Sequence, residues 1–395
     1  MDLIRKTQSN DLLRSLFMGI IESGYTSIAI LVALRFFQAS AGVKSLLAAG
    51  TSIGFLLSPV VLVSVARTSL PGSKICSLYM LGTSIGVFVA AFAGNTLAYT
   101  AGLLLATILS SQIPPVMVQI YSRNYHKKER ARRISGNLMV ASTVGACTSY
   151  LIGIFLDHDL SNFRLCLAGI GTACLCASII HLRIPSTPLR EADSPHLVHD
   201  LKLAFQDKFF AAMLIGWMLM GVGNLITIPL RIEYLANEKY GINASNTTVL
   251  AIALITTSVA RVLSTPVWAW LFDKFNLALV RIGINLCFLT GLLLYFHVHD
   301  FLLLAVGAFL IGWATGGGTL AWNLWVTKVA PPGRESTYMS VHSFFTGIRG
   351  VPAPFVGYWI LATYGPNPVG WTAAAFIATS SLLFLIMASN QRLKD

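Results

Sequence analysis

The sequence predicts an all-α membrane protein with twelve transmembrane helices, arranged as two halves of six helices. Three observations support this fold class. Of the 395 residues, 55% are hydrophobic and only 11% are charged, whereas a soluble chain carries about 25% charged residues. Apolar runs long enough to cross a bilayer recur along the chain. One long polar segment, residues 184–208, divides these runs into two equal sets.

The apolar runs reach about 20 residues, the length that a helix needs to cross a hydrocarbon core of about 30 Å. We therefore predict an N-terminal six-helix half at 1–183, a cytoplasmic linker at 184–208 and a C-terminal six-helix half at 209–395. The predicted spans are 14–36, 44–66, 74–94, 97–120, 135–156, 163–182, 209–232, 247–271, 279–297, 301–328, 338–361 and 369–388.

The positive charges predict the orientation of the chain. The net charge is +12, but the cations lie in short loops between apolar runs, and most of them fall on the side of the N-terminus. This bias predicts cytoplasmic N- and C-termini, and we expect a multi-pass protein of a bacterial inner membrane. The most basic loop, RNYHKKERARR at 123–133, suits an anionic lipid surface. Lipid is the expected partner, and nucleic acid is not.

The two halves repeat in sequence. Residues 130–156 align without a gap on 334–360, at an offset of 204. The second helix of each half aligns at an offset of 207, which pairs Pro59 with Pro266. Two similar offsets in the same order predict a parallel repeat of six spans, which is a transporter architecture.

This architecture resembles the major facilitator superfamily. In that family the loops between spans 2–3 and 8–9 carry the motif G-x-x-x-D-R/K-x-G-R-K/R. Here residues 268–276, WAWLFDKFN, keep Asp273 and Lys274 in place but lack the glycines. The first copy, VSVARTSLPGSK at 63–74, has Ala66 where the acid would stand.

The resemblance extends to residues 342–358, HSFFTGIRGVPAPFVGY, which are similar to span 11 of several bacterial members. It implies a secondary carrier that works by alternating access, with the two halves rocking against one another, and not an enzyme. It implies no particular substrate.

Three charged residues are predicted inside the spans, at nearly one depth close to the membrane midplane: Glu22, Arg261 and Arg349. Charges at this depth are costly and mark functional pathways, and carriers place their binding sites there. Two interpretations remain open. The three residues could line a cavity and contact substrate or protons, or they could form a structural ion network that holds the halves in one state.

The repeat bears on the two arginines. Arg349 aligns with Gly145 and Arg261 aligns with Gly54, so the repeated scaffold accounts for neither arginine. Both cations belong to the second half, and Glu22 belongs to the first. This arrangement suits an anionic or zwitterionic solute, with Glu22 as a proton carrier or as the partner of an amine.

Other polar or aromatic residues could belong to the same pathway. His342 lies seven residues before Arg349, on the same helix face, and is either a proton relay or a hydrogen-bonded structural histidine. Tyr25 follows Glu22 by three residues and either shapes the cavity or packs. Asn224 and Asn323 either line a pathway or join helices. Trp322 could grip a substrate, whereas Trp325 is expected in the aromatic belt at the interface.

At the end of the eighth span, Asp273 and Lys274 are predicted to form a gating loop, and the alternative is a solvated pair of charges. The six cysteines all fall in apolar runs and are expected to be small packing residues. No G-x-x-x-x-G-K-[ST] sequence occurs, which argues against ATP-driven transport. We expect no cofactor and no metal site.

The sequence therefore predicts a monomeric secondary active transporter that moves a small organic solute across the cytoplasmic membrane, with proton coupling. The alternative from another class is a non-transporting sensor or scaffold built on a carrier fold, which the eroded loop motif would allow. A membrane-embedded enzyme ranks third, because it would need clustered histidines or acids at one depth.

Overall fold

The computed structural model describes residues 2–23, 28–188, 201–202, 206–331 and 334–393. The chain divides into two compact units, Met1–Ser194 and Pro195–Asp395. The boundary falls inside the polar segment that separates the two sets of predicted spans. Each unit is described by itself below.

The described part of the first unit consists of helices joined by short turns. Its helices are α1 (Asp2–Ser23), α2 (Ala29–Arg35), α3 (Ala41–Ala66), α4 (Gly72–Ala91), α5 (Thr96–Ser110), α6 (Ile113–Asn124), α7 (Lys127–His158) and α8 (Phe163–Arg183). Side chains at the turns define several helix starts. Ser40 accepts a hydrogen bond from the Val43 N–H before α3, and Asn95 accepts one from the Ala98 N–H before α5, as expected of N-cap residues.

The second unit is built in the same way. Its helices are α9 (Lys208–Ala236), α10 (Asn246–Leu250), α11 (Thr257–Lys274), α12 (Leu277–His297), α13 (Phe301–Val329), α14 (Glu335–Gly350), α15 (Ala353–Tyr364) and α16 (Pro366–Met387). A π-helical segment, Ala251–Thr256, joins α10 to α11. Asn276 and Asp300 cap α12 and α13 by accepting hydrogen bonds from backbone N–H groups.

Among the described residues, ten helical stretches are long and apolar enough to cross a membrane. The other two predicted spans are the first and the eleventh. The described helical parts of the first span are α1 and α2. In the eleventh span, α14 and α15 lie on either side of Val351 and Pro352. The all-α membrane fold is thereby confirmed, and these two spans bring the count to the predicted twelve.

The break in the eleventh span follows from its prolines. Pro352 has no N–H and cannot continue the hydrogen-bond ladder of α14, so the carbonyl four residues earlier receives no bond from it. Proline is well tolerated at a helix start. A new helix therefore begins directly afterwards, and its first backbone bond runs from the Val356 N–H to the Pro352 carbonyl at 3.1 Å. The break lies two residues beyond Arg349.

The first residues of the predicted linker pack on the first unit. Asn124 donates to the Pro185 carbonyl at 2.7 Å, and Arg123 donates to the Thr187 hydroxyl at 2.6 Å. The Gly72 N–H donates to the Thr187 carbonyl at 3.3 Å. The segment that follows α8 is thus bound to the helix ends of its own unit as far as Pro188.

The repeat appears in the packing of the two units. In the first unit, α4 and α5 cross at Gly86 and Gly102, where a Cβ on Gly86 would lie 2.6 Å from the Gly102 carbonyl oxygen. In the second unit, α12 and α13 cross at Gly291 and Gly307, where the corresponding distance is 2.9 Å. Both pairs are separated by an offset of 205 along the sequence. Small residues permit such close helix contacts in membranes.

Asp207 joins three parts of the second unit at the start of α9. Its carboxylate accepts hydrogen bonds from the Phe209 and Phe210 N–H groups, from the Tyr338 hydroxyl at 3.0 Å and from Arg392 at 2.8 Å. Burial acts to raise the pKa of this carboxyl, but the bonds from Arg392, Phe210 and Tyr338 outweigh burial, and the pKa lies below its ordinary value.

We predict that Gly86→Ala and Gly291→Ala each destabilise the protein by about 1–3 kcal/mol, because the added methyl group overpacks a close helix crossing. The thermal unfolding midpoint of the purified protein measures the effect. Gly136→Ala in α7 is the matched control, because a Cβ there meets nothing within 4 Å and alanine favours the helix by about 0.5–1 kcal/mol. Equal midpoints for the three variants would contradict the prediction.

We predict a pH-dependent contribution from Asp207. A lowered pKa in the folded state stabilises the fold above the unfolded-state pKa of about 4, and this stabilisation is lost as the pH falls through the folded-state value. Asp207→Asn should therefore cost about 1 kcal/mol or less at pH 7 and little at pH 3, as measured by unfolding midpoints. In the Asp207→Asn background, Arg392→Gln should add no further loss at pH 7. A difference that stays constant with pH would argue against this role of the carboxylate.

Candidate functional site

Arg349 lies inside the second unit near the end of α14. Its side chain is buried, with 8% of the residue exposed. One terminal nitrogen, Nη1, donates to the Trp217 carbonyl on α9, and Nη2 donates to the Thr346 hydroxyl at 3.4 Å. The Nε atom has no hydrogen-bond partner within the described part of the chain. The charge predicted from the sequence is therefore buried among helices of its own unit.

Gly221 provides the space for this guanidinium. It lies on α9, one turn after Trp217, and a Cβ on Gly221 would overlap the Cζ, Nη1 and Nε atoms of Arg349. A side chain at position 221 would therefore have to displace the arginine. The repeat partner of Arg349 is Gly145, and it packs on Gly19 of α1, where its Cβ would lie 3.1 Å from the Gly19 carbonyl. A close backbone contact in the first unit is thus replaced, in the second unit, by a buried arginine side chain that packs against a glycine.

The same tryptophan contacts a second buried arginine, Arg281 of α12. The Cζ atom of Arg281 lies 4.0 Å from the centroid of the Trp217 ring, and Arg281 is only 1% exposed. None of its three guanidinium nitrogens has a hydrogen-bond partner among the described residues. Trp217 thus holds one arginine on its ring and the other on its carbonyl group.

His342 of α14 completes the group. It is fully buried, and its ring centroid lies 5.4 Å from that of Trp217, 5.5 Å from that of Trp322 and 5.2 Å from that of Trp325. Neither ring nitrogen has a hydrogen-bond partner in the described regions. We call the six residues Trp217, Arg281, Trp322, Trp325, His342 and Arg349 the arginine–tryptophan cluster.

The arginine–tryptophan cluster carries positive charge that its described neighbours do not balance. Arginine stays protonated in proteins, and removing one such charge from water costs several kcal/mol. A desolvated cation–π contact returns about 2 kcal/mol, and a hydrogen bond to a charged group about 1.5–3 kcal/mol. Within the described ranges, no carboxylate pairs with Arg281 or Arg349. These contacts do not fully offset the cost of burying the two charges, so a negatively charged partner would stabilise them further.

Arg261, the other predicted cation of the second unit, is half-buried on α11, five residues after the π-helical segment. Its carbonyl accepts hydrogen bonds from the Ser264 and Thr265 hydroxyls at 3.2 and 2.7 Å. A Cβ on Gly316 of α13 would lie 3.0 Å from this carbonyl, so the two helices cross closely at Arg261. π-Helical segments are frequent at functional sites.

The remaining predicted pathway residues are distributed over several helices. Glu22 is exposed one residue before the end of α1. Tyr25 and the side chain of Asn323 lie outside the described part of the molecule. The side-chain carbonyl of Asn224 accepts a hydrogen bond from the Arg231 guanidinium at 2.6 Å. Asn224 therefore has an intrahelical partner on α9.

The predicted gating pair lies at the end of α11. Asp273 and Lys274 are both exposed, and the Lys274 ammonium lies 4.9 Å from the ring centroid of Trp270. Across the crossing to α13, Lys328 donates to the Phe272 carbonyl at 3.1 Å. The charged side chains of Asp273, Lys274 and Lys328 thus lie near the C-terminal end of α11.

The structure corrects one placement that the sequence suggests and reveals one residue that it did not single out. Trp325 is expected in the interfacial aromatic belt, but it is fully buried and stacks on Phe210, with ring centroids 5.5 Å apart. Arg281, inside α12, is the residue that was not singled out. Its helix face carries the buried residues Leu277, Ile284 and Phe288, and that periodicity is the signal that could have located it. Trp217, between apolar neighbours, carries no comparable signal.

The first unit contains a polar cluster that the sequence reasoning also missed. Asp11 of α1 is fully buried. It pairs with Arg14 at 2.7 Å and accepts hydrogen bonds from the Tyr121 hydroxyl at 2.8 Å and from Asn137. Here a partly buried arginine has its own carboxylate, which is the usual arrangement.

The sequence matches the profile of the Major Facilitator Superfamily over residues 12–265 and 218–394. No curated protein matches it. Solved structures with the same fold include a variant of the nucleoside transporter NupG, with a TM-score of 0.78 and 13% identity over 97% of this chain and 99% of that chain. The xylose transporter XylE from E. coli has a TM-score of 0.71 and 12% identity over 98% of each chain. A D-xylose-proton symporter has a TM-score of 0.70 and 14% identity over 97% of each chain.

The family match spans nearly the whole sequence and both units, and it agrees with the twelve-span fold. It makes the chain a membrane transporter and not an enzyme, as the sequence predicted. The chain belongs to the Major Facilitator Superfamily.

Proposed function

We propose that the protein is a proton-coupled carrier that moves a small organic anion or zwitterion across the bacterial cytoplasmic membrane by alternating access, with both termini in the cytoplasm. The observation that carries this proposal is the burial of Arg349 with no described carboxylate to neutralise it. A buried cation on a helix of a carrier is best explained by a ligand of opposite charge.

The eleventh span supports a mobile role for Arg349. The arginine lies one residue before the end of α14, and the helix is broken at Val351 and Pro352. Discontinuous helices form the binding sites of many transporters, and helix-terminal residues absorb the backbone changes of a hinge. A rotation of α14 relative to α15 would move the guanidinium away from the Trp217 carbonyl and present it to solute.

The eighth span supports a second point of contact. Arg261 follows the π-helical segment Ala251–Thr256, which adds a local irregularity to the helix that carries the charge. We assign Arg261 to the solute pathway together with Asn224, Trp322, Asn323, His342 and, from the first unit, Tyr25. Asp273 and Lys274 are assigned to the gate at the end of the same helix.

Proton coupling is assigned to Glu22, a carboxylate of α1 in the first span. A carboxyl group binds or releases a proton when its exposure to water and to nearby charges changes, as it would between the two states of a carrier. One structural neighbour is a D-xylose-proton symporter, which agrees with this class of coupling. The neighbours that transport nucleosides and xylose are similar only in fold. The preference for an anion therefore derives from Arg349 and Arg261 of this chain.

We predict that Glu22→Gln, Arg261→Gln and Arg349→Gln each reduce solute flux by at least about tenfold, because a charged contact in a binding site contributes about 1.4 kcal/mol or more. Flux is measured in proteoliposomes with an imposed pH gradient, using labelled organic acids, amino acids, sugars and nucleosides. Glu22→Gln should abolish the dependence of flux on the pH gradient.

Arg164→Gln is the matched control, because it removes one exposed arginine of the first unit and changes the net charge as Arg261→Gln and Arg349→Gln do. Its flux should equal that of the wild type. If pH-dependent flux survives all three pathway substitutions, the proposed site is wrong. A folded protein that moves no solute in the panel would favour the sensor or scaffold.

A further inference from the structure

We infer that Arg281, His342 and Arg349 form a binding site for a compact oxyanion, a carboxylate or a phosphate group of a small soluble ligand. Arg281, on α12, is the new element, because it is not among the pathway residues assigned above. It is connected to two of them, His342 and Arg349, through their common contact with Trp217. The existence of the anion site does not depend on the proposed function. Only the statement that its ligand is the transported solute rests on that function.

The first argument is the number of unused donors. Arg281 contributes three nitrogens, Arg349 one, His342 two, and Trp217 and Trp325 one indole nitrogen each. All eight atoms are buried without a hydrogen-bond partner among the described residues, and at least seven are donors, because a neutral imidazole has one N–H. Buried donors are almost always satisfied in native proteins. A group that offers only acceptor atoms is the partner that this set lacks.

The second argument is the accumulation of like charge. Arg281 and Arg349 both contact Trp217, and both are close enough to His342 to interact with it electrostatically. Two guanidinium groups that share one tryptophan repel one another unless an anion lies nearby. The arrangement is therefore stabilised by an anion and opposed without one.

The third argument compares two partly buried arginines of the same chain. Arg14 pairs with the Asp11 carboxylate at 2.7 Å. Arg231 donates to the Asn224 and Thr227 side chains at 2.6 and 2.9 Å. The fold thus supplies at least one side-chain acceptor for each of these guanidinium groups. Arg281 has only the face of an aromatic ring within the described structure, so its acceptor must come from elsewhere.

The chemistry of the donors selects the ligand class. A planar guanidinium presents two parallel N–H groups that match the two oxygens of a carboxylate or phosphate. The surrounding rings of Trp217, Trp322 and Trp325 contribute apolar surface and two indole donors but no acceptor. A neutral sugar, which needs acceptors as well as donors, fits this set poorly.

The site lies inside the helical unit, which favours a small soluble ligand over a lipid headgroup. Arg281 and His342 are 1% and 0% exposed, so a lipid with two acyl chains could not approach without separating the helices. Arg349, whose side chain ends next to Gly221, lies two residues before the helix break, and we expect a small anion to enter there.

The test measures anion binding to the purified protein without any gradient. Sodium salts of inorganic phosphate, acetate and succinate are added to the full-length protein in nanodiscs of phosphatidylcholine, with sodium chloride at equal ionic strength as the reference and sorbitol as the neutral probe. At about 100 times Kd, a bound anion should raise the unfolding midpoint by about 3–5 °C, and it should change the tryptophan emission. If neither phosphate nor a carboxylate raises the midpoint more than sodium chloride does, the inference is overturned.

Arg281→Met tests the assigned residue. Without anion its unfolding midpoint should equal or exceed that of the wild type, because the variant removes a buried charge that has no partner. Its anion-dependent shift and emission change should both be lost. Arg281→Lys keeps the charge without the planar fork and should bind about tenfold more weakly, and this variant remains informative if the methionine variant does not fold. A full anion response in both variants would overturn the inference.

Two further arms separate the possible sources and functions. Nanodiscs that contain phosphatidylglycerol should leave the response to soluble anions unchanged, and its loss there would assign the site to a lipid phosphate and overturn the soluble ligand. The control Arg164→Gln should bind as the wild type does. Anion binding in a protein without solute flux would leave this site in place and refute the proposed function. Flux without anion binding would do the reverse.

Discussion

The seating of Arg349 against Gly221 is the constraint on which the second unit depends. The arginine needs a glycine on the facing helix, because any Cβ there would overlap its guanidinium. It also needs the Trp217 carbonyl as an acceptor. The helix that carries it breaks two residues later at Val351 and Pro352. One buried charge thus connects the packing of α9 and α14 to the point where the eleventh span can bend.

The internal repeat makes this constraint visible as a departure from symmetry. The crossings at Gly86–Gly102 and at Gly291–Gly307 are nearly the same in both units, so the scaffold is repeated where helices only pack. At the position of Gly145 the second unit has Arg349 instead, and a backbone contact is replaced by a charged side chain. A repeated scaffold explains the packing that the two units share, and the proposed binding residue Arg349 stands where the copies differ.

The two units also treat buried charge differently. The first unit holds Arg14 together with Asp11, Tyr121 and Asn137, a self-contained network that joins α1, α6 and α7. The second unit encloses Arg281 and Arg349 around Trp217 with no described carboxylate. Neutralised charge contributes to structure, whereas charge that is not neutralised in the protein is available to a ligand. This difference is the basis for proposing that the second unit recognises an anion.

The sequence by itself determined the class of the protein, the two sets of six spans, the repeat and the presence of a charge, Arg349, within the eleventh span, because hydropathy, offset and an isolated intramembrane charge are local properties. The proline break in the eleventh span followed from the same local chemistry. Only the tertiary structure decided that Arg281 lies in the interior, that Trp325 is buried and that Trp217 joins both arginines. These facts depend on which helix faces which neighbour, and that choice results from packing between residues more than 60 positions apart in the chain.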